Sequence, residues 1–423
     1  MQQSISSNRR TFMKWMGALP LLGYITTQGL YEKALGAAKR NRYDNIYTRI
    51  GVKPIINARG PWTYISGTLE LPEVKAAKQQ AAEYFVNIWE LHRAVGRRLA
   101  ELSGAEAGLV TSGAAGAMAV ATAACIAGTD PAKIWQLPDS AGLKNEVIML
   151  GGRSLFDSAI RGAGGKLVLA YTQDELERAI TEKTAMVYTM AEGEWLEKAL
   201  STTKKAKVPM MLDWADRVPP MENFYLPGKM GVDLYTFSGG KGLCGPQCTG
   251  LLLGRKDLIE AALANSSPWE GAVCRPMKVG KEEIMGLLAA VEAWTKMNLQ
   301  GLDRQWDKQI RRIAQVVETV PGVTTETRTA YAGPSLIVRW DEASFKLTVA
   351  ECAKKLLDGE PPIEVATRRN PSAVPGAREG DPKVPESPEP DRIQIISATL
   401  QPGEELLIAR RLREVLREAR KAA

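Results

Sequence analysis

The 423-residue chain predicts an α/β fold, with a large, mostly parallel sheet covered by helices on both faces and a smaller α+β C-terminal domain. Three observations carry this prediction. Short apolar runs rich in β-formers alternate with helical patterns between about residues 105 and 254. A long helical stretch over 281–320 then separates this region from a second group of strands. The composition, 45% hydrophobic and 24% charged, suits a globular chain with core enough for two domains.

Residues 1–38 are set apart from the fold. Arg9-Arg10-Thr-Phe-Met-Lys14 precedes an apolar stretch over 15–27, and the small residues Ala34-Leu-Gly-Ala-Ala38 close the segment. The apolar stretch is too short and interrupted for a comfortable membrane span. The segment resembles a twin-arginine export signal. That resemblance implies the twin-arginine translocase as a partner and a periplasmic or otherwise exported location, reached by an already folded protein. Residues 39–60 predict an extended arm, because Gly51, Pro54 and Gly60 break any helix. The large domain is expected over 61–280, and the bridging helix with the small domain over 281–423.

In the large domain, 72–102 predicts a helix. Residues 105–110 predict a strand running into Thr111-Ser-Gly-Ala-Ala-Gly-Ala117 and a small-residue helix ending at Ala127. Strands follow at 146–150, 166–170, 185–190, 208–212, 232–237 and 250–253, with helices at 174–180 and 199–206. The small domain should hold strands at 323–328, 335–339 and 394–398 and helices at 347–357 and 404–421. Residues 370–391, dense in Pro, Gly and charge, read as a long exposed loop.

Composition excludes several chemistries. The net charge is +7, but Lys and Arg are dispersed among acids, so no nucleic-acid partner is expected. Five cysteines, at 125, 244, 248, 274 and 352, are too few and too scattered for a disulfide framework. The single histidine, His92, stands among charged residues and reads as a surface or interface residue. Histidine dyads and histidine-rich metal sites are thereby excluded, and no metal is expected. Cys244 and Cys248 bracket Gly245-Pro-Gln247 and read as buried small residues rather than groups facing a site.

The chemistry gathers at strand ends. Ser112, Gly113 and Ala114 lie where a strand passes into a helix, and small side chains there let a phosphate approach free N–H groups. Ser238-Gly-Gly-Lys241 ends another apolar run. A P-loop would need Gly at 235 and Ser or Thr at 242, where the chain has Tyr235 and Gly242. A third run, Val208-Pro-Met-Met-Leu-Asp213, ends in a carboxylate. An amine and an acid at neighbouring strand tips suit pyridoxal phosphate, with Lys241 forming the Schiff base and Asp213 keeping the ring nitrogen protonated. Ser238 offers a second phosphate hydrogen bond, and Ala215 is small enough to lie under the ring.

Asn57-Ala-Arg-Gly60, Glu83-Tyr-Phe-Val86, Thr111-Ser-Gly-Ala-Ala115, Gly142-Leu-Lys-Asn-Glu-Val147, Phe237-Ser-Gly-Gly-Lys-Gly-Leu243, Gly245-Pro-Gln247, Arg275-Pro-Met-Lys-Val-Gly-Lys-Glu282 and Leu400-Gln-Pro-Gly-Glu404 occur in one order. In these segments the chain resembles the selenocysteine synthase-like family of fold-type-I pyridoxal-phosphate enzymes, over about residues 46–420. The resemblance implies the large sheet of seven-stranded type, Lys241 and Asp213 in the roles above, and a homodimer or higher homo-oligomer with sites at subunit contacts. It implies α,β-elimination or β-replacement on a small amino acid or amino-sugar acid. Relatives that act on tRNA carry an extra N-terminal domain, which the export signal replaces here. Members of the family carry a histidine or similar ring stacked on the cofactor in the loop after the 146–150 strand, where this chain has Arg153, with Phe156 nearby. The missing ring leaves racemisation, transamination or a weakly active or inactive exported binding protein as alternatives. Lys241 is the expected proton carrier, and Arg59, Arg275 and Arg369 are the candidate cations for a substrate carboxylate.

Overall fold

A computed structural model describes residues 44–330, 333–367 and 391–422. The expected export-signal segment, Arg369 and all of the expected 370–391 loop except Asp391 lie outside the described residues. The first strand, β1 (Ile56–Ala58), leaves the arm and joins the C-terminal unit.

The large sheet is built from β2 (Ala107–Ser112), β3 (Glu146–Leu150), β4 (Lys166–Ala170), β5 (Thr184–Thr189), β6 (Met210–Asp213), β7 (Leu234–Ser238) and β8 (Thr249–Gly254). The seven strands lie in the order β2-β8-β7-β6-β5-β3-β4. Pairing is parallel from β7 across to β4, and β8 runs antiparallel to both its neighbours. Such a sheet is covered on both faces, so its inner strands are apolar at successive positions rather than alternating. Met210, Met211 and Leu212 are all fully buried. Alternate residues feed two separate cores: Ile148, Val187 and Leu212 face one, and Met149, Met186 and Met211 the other. The helix Gly113–Ala127 covers the second face, and its small side chains bring its axis close to the sheet.

In the C-terminal unit β9 (Thr324–Ala330), β10 (Gly333–Arg339) and β12 (Ile393–Ile396) form an antiparallel sheet. β11 (Ile363–Val365) pairs in parallel with β1, Ile56 opposite Ile363. Ile56 and Ala58 share a core with Ile310, Val338, Ile393 and Leu412. The arm is therefore part of the small domain's packing.

Two expected helices are interrupted. The 72–102 stretch divides into Pro72–Ala82 and Ile88–Ser103, because Asn87 accepts hydrogen bonds from the N–H groups of Trp89 and Glu90 at 2.9 and 3.2 Å and starts a new helix. The 281–320 stretch divides into Lys281–Trp294 and Leu299–Val317, with Asn298 capping Gly301 N–H at 3.0 Å.

His92 is buried, not on the surface, at 6% exposure. Helical spacing aligns it with Val95, Leu99 and Ser103 on the inward stripe. Burial pulls its imidazole down to about 4. The folded protein thus excludes a proton that the unfolded chain takes up near pH 6.5. Stability from this source is complete above pH 6.5 and falls as pH drops toward 4, by about 3 kcal/mol. Unfolding curves from pH 7 to 4 should show wild type losing this much more stability than His92→Leu.

Candidate active site

The carboxyl ends of β2, β6 and β7 lie together at one edge of the sheet, where α/β proteins of this kind place their ligands. They deliver Ser112, Asp213 and Ser238, the last residues of their strands. Lys241 follows three residues after Ser238. The structure brings all four to one edge.

The turns there are shaped by close approach of backbone to backbone. Gly113 has φ +71°, a conformation that favours glycine. β8 presses on it from below: a Cβ at Gly250 would come within 2.3 Å of the Gly113 carbonyl carbon and 2.6 Å of Ala114 N. After Ser238, a Cβ at Gly240 would lie 2.4 Å from Gln247 Cα, and one at Gly242 would lie 1.7 Å from the Val218 carbonyl oxygen. These glycines hold the lysine turn against its supports. Thr68 completes the seat, its hydroxyl donating to the Lys241 carbonyl at 2.9 Å. Gly242→Ala should therefore displace the turn and lower stability by about 2–4 kcal/mol, read as a fall in the denaturation midpoint.

Asp213 is buried, at 3% exposure. Its Oδ2 accepts from the Tyr188 hydroxyl at 2.8 Å and its Oδ1 from Ala215 N–H at 3.1 Å. Burial pushes its carboxyl above the usual carboxylate range, while the Tyr188 and Ala215 hydrogen bonds and the charge of Lys241 pull it back. Ala215 also accepts from Ser238 N–H at 3.0 Å, which ties the tips of β6 and β7 together. Among the described residues, the Lys241 amine makes no hydrogen bond or ion pair, and the hydroxyls of Ser112 and Ser238 make no hydrogen bond.

These features fit pyridoxal phosphate. Free hydroxyls and the first N–H groups of the Gly113–Ala127 helix offer donors to a phosphate. The buried Asp213 carboxylate could oppose a cationic ring nitrogen, the small Ala215 side chain would leave room for a ring, and an unengaged amine stands within electrostatic reach of the carboxylate.

The other predicted residues are distributed around this edge. Arg153 is held by bonds to both carboxylate oxygens of Asp157, one of them at 3.1 Å, and Asp157 is also bonded by Arg161 at 3.2 Å. The guanidinium plane of Arg153 is thus fixed in the loop after β3. Arg59 is buried; it donates to the Val365 carbonyl at 3.1 Å and lies 5.2 and 5.7 Å from the Trp62 and Tyr64 ring centres. Its segment borders the lysine turn through Thr68 and through Gln247, which donates to the Thr63 carbonyl at 2.9 Å. Arg275 reaches Glu270 at 3.8 Å. Cys248 is exposed, contrary to its expected burial, because it sits on the outer side of the turn after Gln247; Cys244 is half-buried, and burial pushes its thiol up to about 11. Tyr188 was not singled out from the sequence, where it reads as one more core residue of an apolar run.

Residues 168–333 match the Aminotransferase class-V family. The chain is 30% identical over 396 residues to the D-glucosaminate-6-phosphate ammonia lyase of Salmonella typhimurium, covering 89% of this chain and 99% of that protein. It is 29% identical over 339 residues to a 5'-C-glycyluridine monooxygenase-decarboxylase of a Streptomyces species, covering 75% of this chain and 83% of that one. An L-seryl-tRNA(Sec) selenium transferase of Moorella thermoacetica is 26% identical over 289 residues, with 60% and 58% covered. A solved D-glucosaminate-6-phosphate ammonia-lyase superposes with a TM-score of 0.73 at 28% identity, covering 89% of this chain and 99% of that chain.

Proposed function

Because the chain belongs to the family of the D-glucosaminate-6-phosphate ammonia lyase, within the fold-type-I pyridoxal-phosphate-dependent lyases and transferases, we propose that it eliminates ammonia from an amino-sugar acid or a closely related β-hydroxy amino acid. One observation carries the reading: a Lys241 amine that makes no hydrogen bond or ion pair among the described residues lies within electrostatic reach of the buried Asp213 carboxylate, just beyond the end of the adjoining strand.

The cofactor, when bound, supplies a sink for the electron pair left at Cα. Ser112, the amides of Gly113 and Ala114, and Ser238 hold its phosphate. Asp213 would keep the ring nitrogen protonated, and the small Ala215 side chain would leave room for the ring. Nζ of Lys241 removes the Cα proton. The hydroxyl at Cβ departs as water, and a second water enters to release ammonia, leaving a 2-oxo acid. Arg153, fixed by Asp157, offers a flat cationic face in place of a stacking ring. Arg59, Arg275 and Arg369 are the cations proposed for the substrate carboxylate. A second copy of the chain completes a homo-oligomer.

The test is to incubate purified protein with glucosaminate, with and without a 6-phosphate, and follow ammonia and 2-oxo acid. Equal amounts of both support the reading. A yellow protein that releases neither from amino-sugar acids or serine-like amino acids favours a binding role instead.

The export reading rests on Arg9-Arg10-Thr-Phe-Met-Lys14 and the apolar stretch behind it. Double substitution Arg9→Lys and Arg10→Lys should retain the protein in the cytoplasm, whereas unchanged export would remove the twin-arginine route. Among the described residues no helix is long and apolar enough to cross a membrane.

A further inference from the structure

Tyr188 lies on β5, one strand away from the carboxylate it contacts, and is 2% exposed. Its hydroxyl is 2.8 Å from Asp213 Oδ2. We propose that Tyr188 is a positioning residue that holds Asp213 in its anionic form toward the cofactor ring. The proposal rests on the reading of Asp213 as the ring's partner and assigns to a neighbouring strand the control of that acid.

The surroundings leave this task to Tyr188. Ala215 N–H gives Asp213 one more donor, but it is backbone and fixed. Lys241 adds a favourable charge only while its amine is protonated, and Asp216 opposes ionisation. From the loop after β3, Ser154 and Asp157 face the phenol. Asp157 is held by Arg153 and Arg161, so its charge is largely engaged. Burial first, and then the Asp213 charge, hold the phenol well above the usual tyrosine range. It stays protonated and acts as a donor throughout the working pH range. A donor of this kind stabilises the carboxylate and not the acid. It therefore favours a proton resting on the ring nitrogen over one resting on Asp213.

The experiment compares wild type, Tyr188→Phe and Asp213→Asn in two states. In the cofactor-free protein, the infrared band of the protonated Asp213 carboxyl, assigned by its loss in Asp213→Asn, is followed against pH. Tyr188→Phe should move its disappearance upward by roughly one to two pH units, the worth of a hydrogen bond to a charged group. An unmoved band overturns the proposal. In the loaded protein, pyridoxal phosphate carrying nitrogen-15 in its ring reports the ring proton directly. Tyr188→Phe should shift the ring nitrogen toward its unprotonated position, because the ratio of ring-protonated to acid-protonated forms falls by about ten- to a hundredfold. If Asp213→Asn leaves the ring signal unchanged, the assignment of Asp213 as ring partner fails. If it moves the signal and Tyr188→Phe does not, only the role of Tyr188 fails.

Discussion

Lys241→Ala protein is expected to emerge colourless, with no cofactor that borohydride can fix and with ammonia release reduced on the order of ten-thousand-fold. The substitution removes both the covalent attachment point and the proton carrier. The proposed phosphate contacts at Ser112, Gly113 and Ala114 are untouched by the substitution, so the variant should still bind pyridoxal phosphate reversibly. Absorbance after gel filtration, borohydride reduction and peptide mapping separate the two forms of binding. A variant that keeps a reducible adduct at another residue would show the lysine to be misassigned.

Asp213→Asn should divide activity from stability. Asparagine keeps the size of the side chain and an oxygen to accept from Tyr188, but it cannot balance a cationic ring. The loss in kcat is expected to be about a hundred- to a thousandfold, the usual effect of removing one well-placed electrostatic group. Burial raises the Asp213 pKa in the fold, so ionising it opposes folding as pH rises above the ordinary carboxylate range. The neutral variant escapes this penalty. Its cofactor-free form should melt at the same temperature as wild type or higher at neutral pH, measured by calorimetry. A large loss of stability would instead make Asp213 a structural residue.

Much of the architecture was legible because parallel strands covered on both faces leave an unmistakable mark. The runs at 146–150 and 166–170 occupy β3 and β4 with the expected bounds. The lysine, the acid and both serines, which the structure gathers at one edge of the sheet, could be singled out because each stands at or just beyond the stop of an apolar run. The helix breaks were harder to see. Tyr84, Phe85 and Val86 continue an apolar pattern and so hid the gap before Asn87, yet Phe85 is fully exposed. The signal was present in Asn87 and Asn298, residues whose short amides favour helix starts. His92 was misplaced because its neighbours in sequence are charged, whereas three- and four-residue spacing sets it among Val95 and Leu99. Tyr188 was hidden for a deeper reason. Only the pairing of β5 with β6 brings it beside Asp213, and strand order is not written in either run.

The parallel pairing of Ile56–Ala58 with Ile363–Val365 binds the beginning of the folded chain to its end. A ribosome has made more than three hundred further residues before the arm's partner strand exists. This pair cannot form until the chain has been made at least as far as Val365. Trimming either terminus into this region would open the same core, so an N-terminal truncation must stop short of Ile56, and a tag is safer before the arm than within it.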